Sequence, residues 1–183
     1  MNRRTFVGFG IAAATACTTK NASEEKTFSG PPSNVAIVKA ASYERDLTDP
    51  IRRAVEMCAL DVRGKNVLIK PNFVEYSPST SINTHPAMVT AAIEVFESMG
   101  AAGVLIGEGR AHRRDTWGLA EEAGYLSEVP KFEQRFTDLN RDDVSKVDRF
   151  ASLPHIYLPN TALGEDLIVS LSANPLAPRP LFP

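Results

Sequence analysis

The sequence predicts an α/β fold: a three-layer, mostly parallel sheet with crossover helices. Three observations predict it. Short apolar runs recur at 35–39, 67–69 and 104–106. Stretches with helical spacing separate them, each bounded by capping or breaking residues. Strand and helix alternate in the order that right-handed parallel crossovers require. The chain has 183 residues, 43% of them hydrophobic and 23% charged, which suits one ordinary packed domain.

The elements follow in order. Residues 35–39 (Val-Ala-Ile-Val-Lys) read as a buried strand. Thr48-Asp49-Pro50 supplies a capping residue and a proline suited to a first helical turn. Ile51, Val55 and Cys58 then recur on one helical face, which makes Cys58 a buried, inert thiol. Gly64 breaks that helix, and Val67-Leu68-Ile69 forms a second strand ending at Lys70-Pro71-Asn72. Residues 73–85 read as a polar loop rich in Ser and Thr, and Pro86 opens the next helix. Val89, Ala92, Ile93, Phe96 and Met99 make its apolar stripe. Gly100 stops it, and Val104-Leu105-Ile106 forms a third strand closed by Gly107-Glu108-Gly109. Asp115 caps a helix carrying Leu119, Ala120 and Ala123, with Trp117 as a packing residue and Gly124 at the end. Ile156-Tyr157-Leu158 and 167–171 read as further strands, turned at Asn160 and Gly164. Residues 172–183 hold Pro175, Pro178, Pro180 and Pro183, so they read as an irregular tail that cannot enter a sheet or a helix interior.

The N-terminus reads as an address. Arg3-Arg4-Thr5-Phe6 is a twin-arginine pair followed by a large apolar residue, and 7–16 carry no charge. That run is shorter than the roughly 18 apolar residues of a membrane span, so residues 1–17 read as a cleaved export signal of the twin-arginine type. Ala14-Thr15-Ala16-Cys17 resembles a loose lipobox in which Cys17 would be lipidated and tether the protein to the membrane. Ordinary signal-peptidase cleavage is the alternative, because Ala14 stands where lipoprotein signals usually carry Leu. The expected location is therefore periplasmic, or lipid-anchored on the outer face of the cytoplasmic membrane. Residues 18–34 are poor in apolar side chains and read as a flexible tether to a domain at 35–171.

Composition narrows the function classes. With 20 Lys+Arg against 22 Asp+Glu, the chain is no strongly basic nucleic-acid binder. Two cysteines support neither a Cys-rich zinc site nor a cysteine-ligated iron–sulfur cluster, so no cofactor is expected within the chain.

Residues 67–72 (V-L-I-K-P-N), the 83–86 turn before a long helix, 104–109 (V-L-I-G-E-G) and 166–171 (D-L-I-V-S-L) form an ordered set. That set resembles the family catalogued as domain of unknown function 362, over roughly residues 34–171. The resemblance implies an exported protein in a redox-associated setting, since many members carry ferredoxin-like segments, and a redox partner is implied on that ground alone. In the family the last strand continues into Pro and a Lys/Thr/His-containing segment. Here Ser172-Ala173-Asn174-Pro175 follows instead. The expectation is a domain truncated after Leu171, with an exposed sheet edge, low stability and little catalysis, or else a naturally short member.

Ligands of open parallel sheets bind beyond the carboxyl ends of the strands. There the sequence offers Lys70 and Asn72 after the second strand, and Glu108 and Arg110 after the third. Arg113 and Arg114 follow in the same loop. Lys and Arg give charge-assisted donors, and Gly107 and Gly109 let backbone N–H groups approach a guest. A phosphate or carboxylate is the expected ligand. The duller alternatives are a strand-to-turn transition at 70–72 and a solvated loop at 110–114. A rival reading is a metal-dependent enzyme, with Glu108 and His112 as ligands and His85 and Asp115 nearby. His155 precedes a strand and reads as structural. Ser170 lies inside a strand, away from any nucleophile elbow.

Overall fold

The computed structural model describes residues 5–9, 33–43, 46–77, 82–110 and 115–172. For 5–9 it describes the backbone. The strands are β1 (Thr5–Phe9), β2 (Asn66–Pro71), β3 (Gly103–Glu108), β4 (Phe136–Asp138), β5 (Val144–Phe150), β6 (Leu153–Pro159) and β7 (Leu167–Leu171). The helices are α1 (Thr48–Met57), α2 (Pro86–Ser98), α3 (Thr116–Glu122), α4 (Tyr125–Glu128), α5 (Phe132–Arg135) and α6 (Asn160–Gly164). One sheet has the order β1-β7-β2-β3-β4 with every pairing parallel. The β5–β6 hairpin forms a separate antiparallel sheet. The α/β class expected from the sequence is the fold observed.

Local chemistry sets the helix ends. Asp46 accepts from the Thr48 hydroxyl at 2.6 Å and from the Thr48 N–H at 2.8 Å. Those two bonds, the hydroxyl's foremost, hold the Asp46 carboxyl below its ordinary range. Asp46 thus does the capping expected of Thr48, which is itself helical. At α2, His85 Nδ1 accepts from the Ala87 N–H at 3.2 Å, and Pro86 fills the first helical position. At α3, Asp115 accepts from the Trp117 N–H at 3.1 Å, the cap expected there.

Burial alternates along β7, while β2 and β3 each bury three consecutive residues. Val67, Ile69, Val104, Ile106, Leu167, Val169 and Leu171 are buried in one cluster with Val55, Val89, Ile93, Phe96, Leu119, Tyr125 and Phe132 from the helices. On the intervening positions Leu68 is buried, while Leu105 and Ile168 are half-buried. An aromatic group closes the core: Trp117 meets Phe136 edge-on at 5.0 Å, and Phe132 stacks on Phe136 at 4.8 Å. Two successive crossovers carry the chain from β2 to β3 to β4, and β7 then returns to the far side of β2. The right-handed rule assigns that reversed connection, which contains β5, β6 and α6, to the opposite face.

Several expectations are corrected. Residues 35–39 form no strand, and Val35 and Ile37 are 81% and 90% exposed. Both neighbours of β2 are taken, by β3 and β7, so no lane beside it remains for that run. Cys58 follows the end of α1, half-buried, with Sγ 3.9 Å from the Asn34 carbonyl oxygen. Asn34 also donates to the Cys58 carbonyl, so the end of the expected tether is fastened here. The turn at 160–164 is a short helix, and β6 belongs to the hairpin rather than to the parallel sheet. His155 lies within β6, exposed, with its ring edge-on to Tyr157. In the full chain β7 pairs with β2 on one side and, on the other, with Thr5–Phe9, a segment within the expected export signal, so cleavage of that signal would leave this edge of β7 open as expected. The signal features Arg3, Arg4 and Cys17, most of the tether, and the tail from 173 onward lie outside the described residues.

Candidate functional site

The pairing of β2 with β3 builds the site. Val67, Leu68 and Ile69 align with Val104, Leu105 and Ile106, so Lys70 and Glu108 emerge at the same end of the sheet. Lys70 Nζ lies 2.7 Å from Glu108 Oε2, a charge-assisted hydrogen bond between residues 38 apart in sequence. The two partners differ in exposure. The Glu108 side chain is 4% exposed and that of Lys70 41%. Glu108 Oε1 accepts from the Gly109 N–H at 2.8 Å, so both carboxylate oxygens are engaged. A carboxylate this deep requires a countercharge, and Lys70 supplies it. An ammonium has three donors, and among the described residues Glu108 takes one, while the Lys70 side chain is 41% exposed.

Asn72 and Arg110 tie loops together. The Asn72 side chain donates to the Ile82 carbonyl at 3.1 Å, and its backbone N–H donates to Thr84 Oγ1 at 2.9 Å. Arg110, 8% exposed, donates from Nε to the Val74 carbonyl at 2.8 Å, fastening the loop after β3 to the loop after β2. Asn140 Nδ2 donates to the Arg110 carbonyl at 2.7 Å, and the Asn140 N–H is held by Asp138 Oδ1 at 3.0 Å. The buried carboxylate of Asp138 thus sits at the end of β4, beside those of β2 and β3.

The glycines serve packing rather than an approaching anion. A Cβ at Gly107 would come within 2.9 Å of Leu68 Cδ1, and one at Gly109 within 2.6 Å of Asn140 Oδ1. The expectation that they open the backbone to a guest is therefore corrected: neighbouring side chains fill that space. The only Gly109 donor, its N–H, is spent on Glu108.

Beneath this rim lies a polar group that sequence reasoning missed. Buried Thr84 donates from its hydroxyl to the Leu171 carbonyl, and Tyr125 donates from its hydroxyl to the Thr84 carbonyl. Burial, with the Glu108 and Glu128 carboxylates adding to it, pushes the Tyr125 phenol well above its usual range. Thr84 links the ends of β2 and β7 through these bonds. Tyr125, Asp138 and Asn140 gave no motif, because each reaches the site only once the crossovers have closed.

The metal reading fares differently. His85 caps α2 and stacks on Tyr43, with ring centroids 4.6 Å apart, and Asp115 caps α3. His112, with Arg113 and Arg114, lies outside the described residues. Among the described residues no three His, Cys, Asp or Glu side chains gather closely enough to hold a metal ion.

Among the described residues no helix is long and apolar enough to cross a membrane. No curated protein and no solved structure matches the chain. A family profile described as domain of unknown function 362 matches residues 67–174, more than half of the chain. That span runs from the first residues of β2, through the paired strands bearing Lys70 and Glu108, to just beyond β7. The chain therefore belongs to the domain of unknown function 362 family.

Proposed function

We propose that this chain is an exported α/β binding domain that holds a small anion, a phosphate or a carboxylate, at the ends of its parallel strands. The observation that carries the reading is the asymmetric pair at that end: buried Glu108 fixes the half-exposed ammonium of Lys70 in place. Ligands of open parallel sheets occupy this region. A positioned ammonium with three donors suits an anion's oxygens. Asn72 and Arg110 support the site by holding the two loops that frame it. A redox-accessory role rests on the family resemblance alone, and export rests on the Arg3-Arg4 signal.

Calorimetric titration with inorganic phosphate tests the binding reading. Lys70→Gln is the informative variant, because an amide can still donate to Glu108 while losing the charge. The variant should bind phosphate about tenfold more weakly than the wild type. Equal heats and equal affinity in both would overturn the proposal. Export has its own test. Replacing Arg3 and Arg4 together by Lys should retain the protein in the cytoplasm on cell fractionation, and unchanged export would refute the twin-arginine reading.

A further inference from the structure

The β5–β6 hairpin is out of keeping with the rest of the molecule. Its two strands are joined by a two-residue turn, Ala151-Ser152, with Ala151 in the left-handed region at φ 49°. An isolated two-stranded hairpin is marginal in water unless something else packs on it or extends it. Here every residue of β5 except half-buried Val147 is exposed. Val144, Phe150, Leu153 and Tyr157 are exposed on the same face, at 55%, 46%, 51% and 61%.

Among the described residues no further strand pairs with either edge of the hairpin, and the two edges are not equivalent. β6 carries Pro154 and Pro159 at positions of opposite parity, so one of them removes an N–H that a further strand on its outer edge would need. β5, Val-Ser-Lys-Val-Asp-Arg-Phe, has an N–H at every residue. Charges on an edge normally repel incoming strands. On β5 they have opposite signs and flank Val147, so one register turns them into attractions.

We infer that β5 pairs antiparallel with β5 of a second copy of this chain, about a two-fold axis through Val147. In that register Val144 of each copy lies opposite Phe150 of the other, and Ser145 opposite Arg149. Lys146 of each copy lies opposite Asp148 of the other. A two-fold contact repeats each pair, giving two cross-strand ion pairs and two apolar pairs from seven residues. Lys146 and Asp148 already lie 2.9 Å apart within one strand, both exposed, so pairing shares these charges between copies without burying an unpaired one. The neighbouring register, centred on Lys146, would set that lysine against itself. Arg149, with φ 57°, twists the strand only at its end, leaving 144–148 regular. The product is a four-stranded sheet made of two hairpins, a small contact and so a weak dimer, with a Kd of roughly 10 μM to 1 mM.

Sedimentation equilibrium on the full chain tests the inference, with far-UV circular dichroism and melting curves as controls for folding. The wild type should dimerise with rising concentration. Lys146→Asp gives an edge with two carboxylates and Asp148→Lys one with two ammoniums, so each variant alone should dimerise roughly tenfold more weakly. An equimolar mixture of these two variants should regain wild-type association, since the charges are complementary again in the same register. A general loss of hairpin structure could not produce that recovery. A wild type that stays monomeric to about 1 mM, single variants that associate like the wild type, or a mixture that fails to recover would each overturn the inference.

Discussion

The strand ends of the parallel sheet and the β5–β6 hairpin treat charge in opposite ways. At the strand ends Glu108 is nearly sealed from water, and its position is specified by Lys70 and the Gly109 N–H. On the hairpin Lys146 and Asp148 are also paired, at a similar distance, yet both stand in solvent. The first pair is costly to break because a buried carboxylate would be left without a partner. The second is worth a fraction of a kcal/mol, about 0.2–1. Distance alone therefore does not separate a site from a surface. Burial of one partner does.

The contrast predicts unequal responses to substitution. The largest effect belongs to the core under the sheet. Phe96 is fully buried, and Phe96→Ala should cost about 3–5 kcal/mol in urea unfolding through the lost contacts and the cavity left behind. A loss below about 1 kcal/mol would mean that α2 is not seated on the sheet as described.

Tyr125→Phe comes next. It removes the buried hydrogen bond to the Thr84 carbonyl and should cost about 1–2 kcal/mol at neutral pH. It should also change the pH dependence. The Tyr125 phenol is raised in the folded state, so its stabilising contribution is complete below the unfolded value near 10. It is lost as pH climbs from there toward the folded-state value, because only the unfolded chain ionises readily. Thermal melting of the wild type should therefore fall above about pH 10, with a shallower fall in Tyr125→Phe. Identical slopes would show that the phenol is not sealed.

How much of this was legible in the sequence follows from the same physics. The apolar runs of β2, β3 and β7 and the stripe of α2 were readable because burial dictates residue type there. The run at 35–39 looked the same and is exposed, since a short apolar run does not say whether a neighbour will cover it. β5 was missed because Lys146, Asp148 and Arg149 hide the alternation of an exposed strand, and β4 because three residues carry no period. Lys70 and Glu108 were each singled out as ligand contacts, yet their partnership depends on the β2–β3 register. Aligning the two Val-Leu-Ile runs would have shown it. Tyr125 and Asp138 had no such signal, since only the crossovers bring them to the strand ends; Thr84 lay in the 83–86 turn, but that motif did not show its hydroxyl bonding to the Leu171 carbonyl.

The smallest predicted effect is on the hairpin. Tyr157 is 61% exposed, and Tyr157→Ala should change global stability by less than about 0.5 kcal/mol in the same unfolding assay. A cost like that of Phe96→Ala would erase the distinction between the two regions.

The central claim is that Glu108 holds and partly neutralises the ammonium that meets an anion. Phosphate titration of Glu108→Gln by calorimetry tests it most directly. The amide can keep the Gly109 hydrogen bond through its oxygen, while Lys70 loses its neutralising partner. In folded variant protein the affinity for phosphate should rise roughly three- to tenfold, the opposite sign from Lys70→Gln. Unchanged or weaker phosphate binding in folded Glu108→Gln protein would contradict the account.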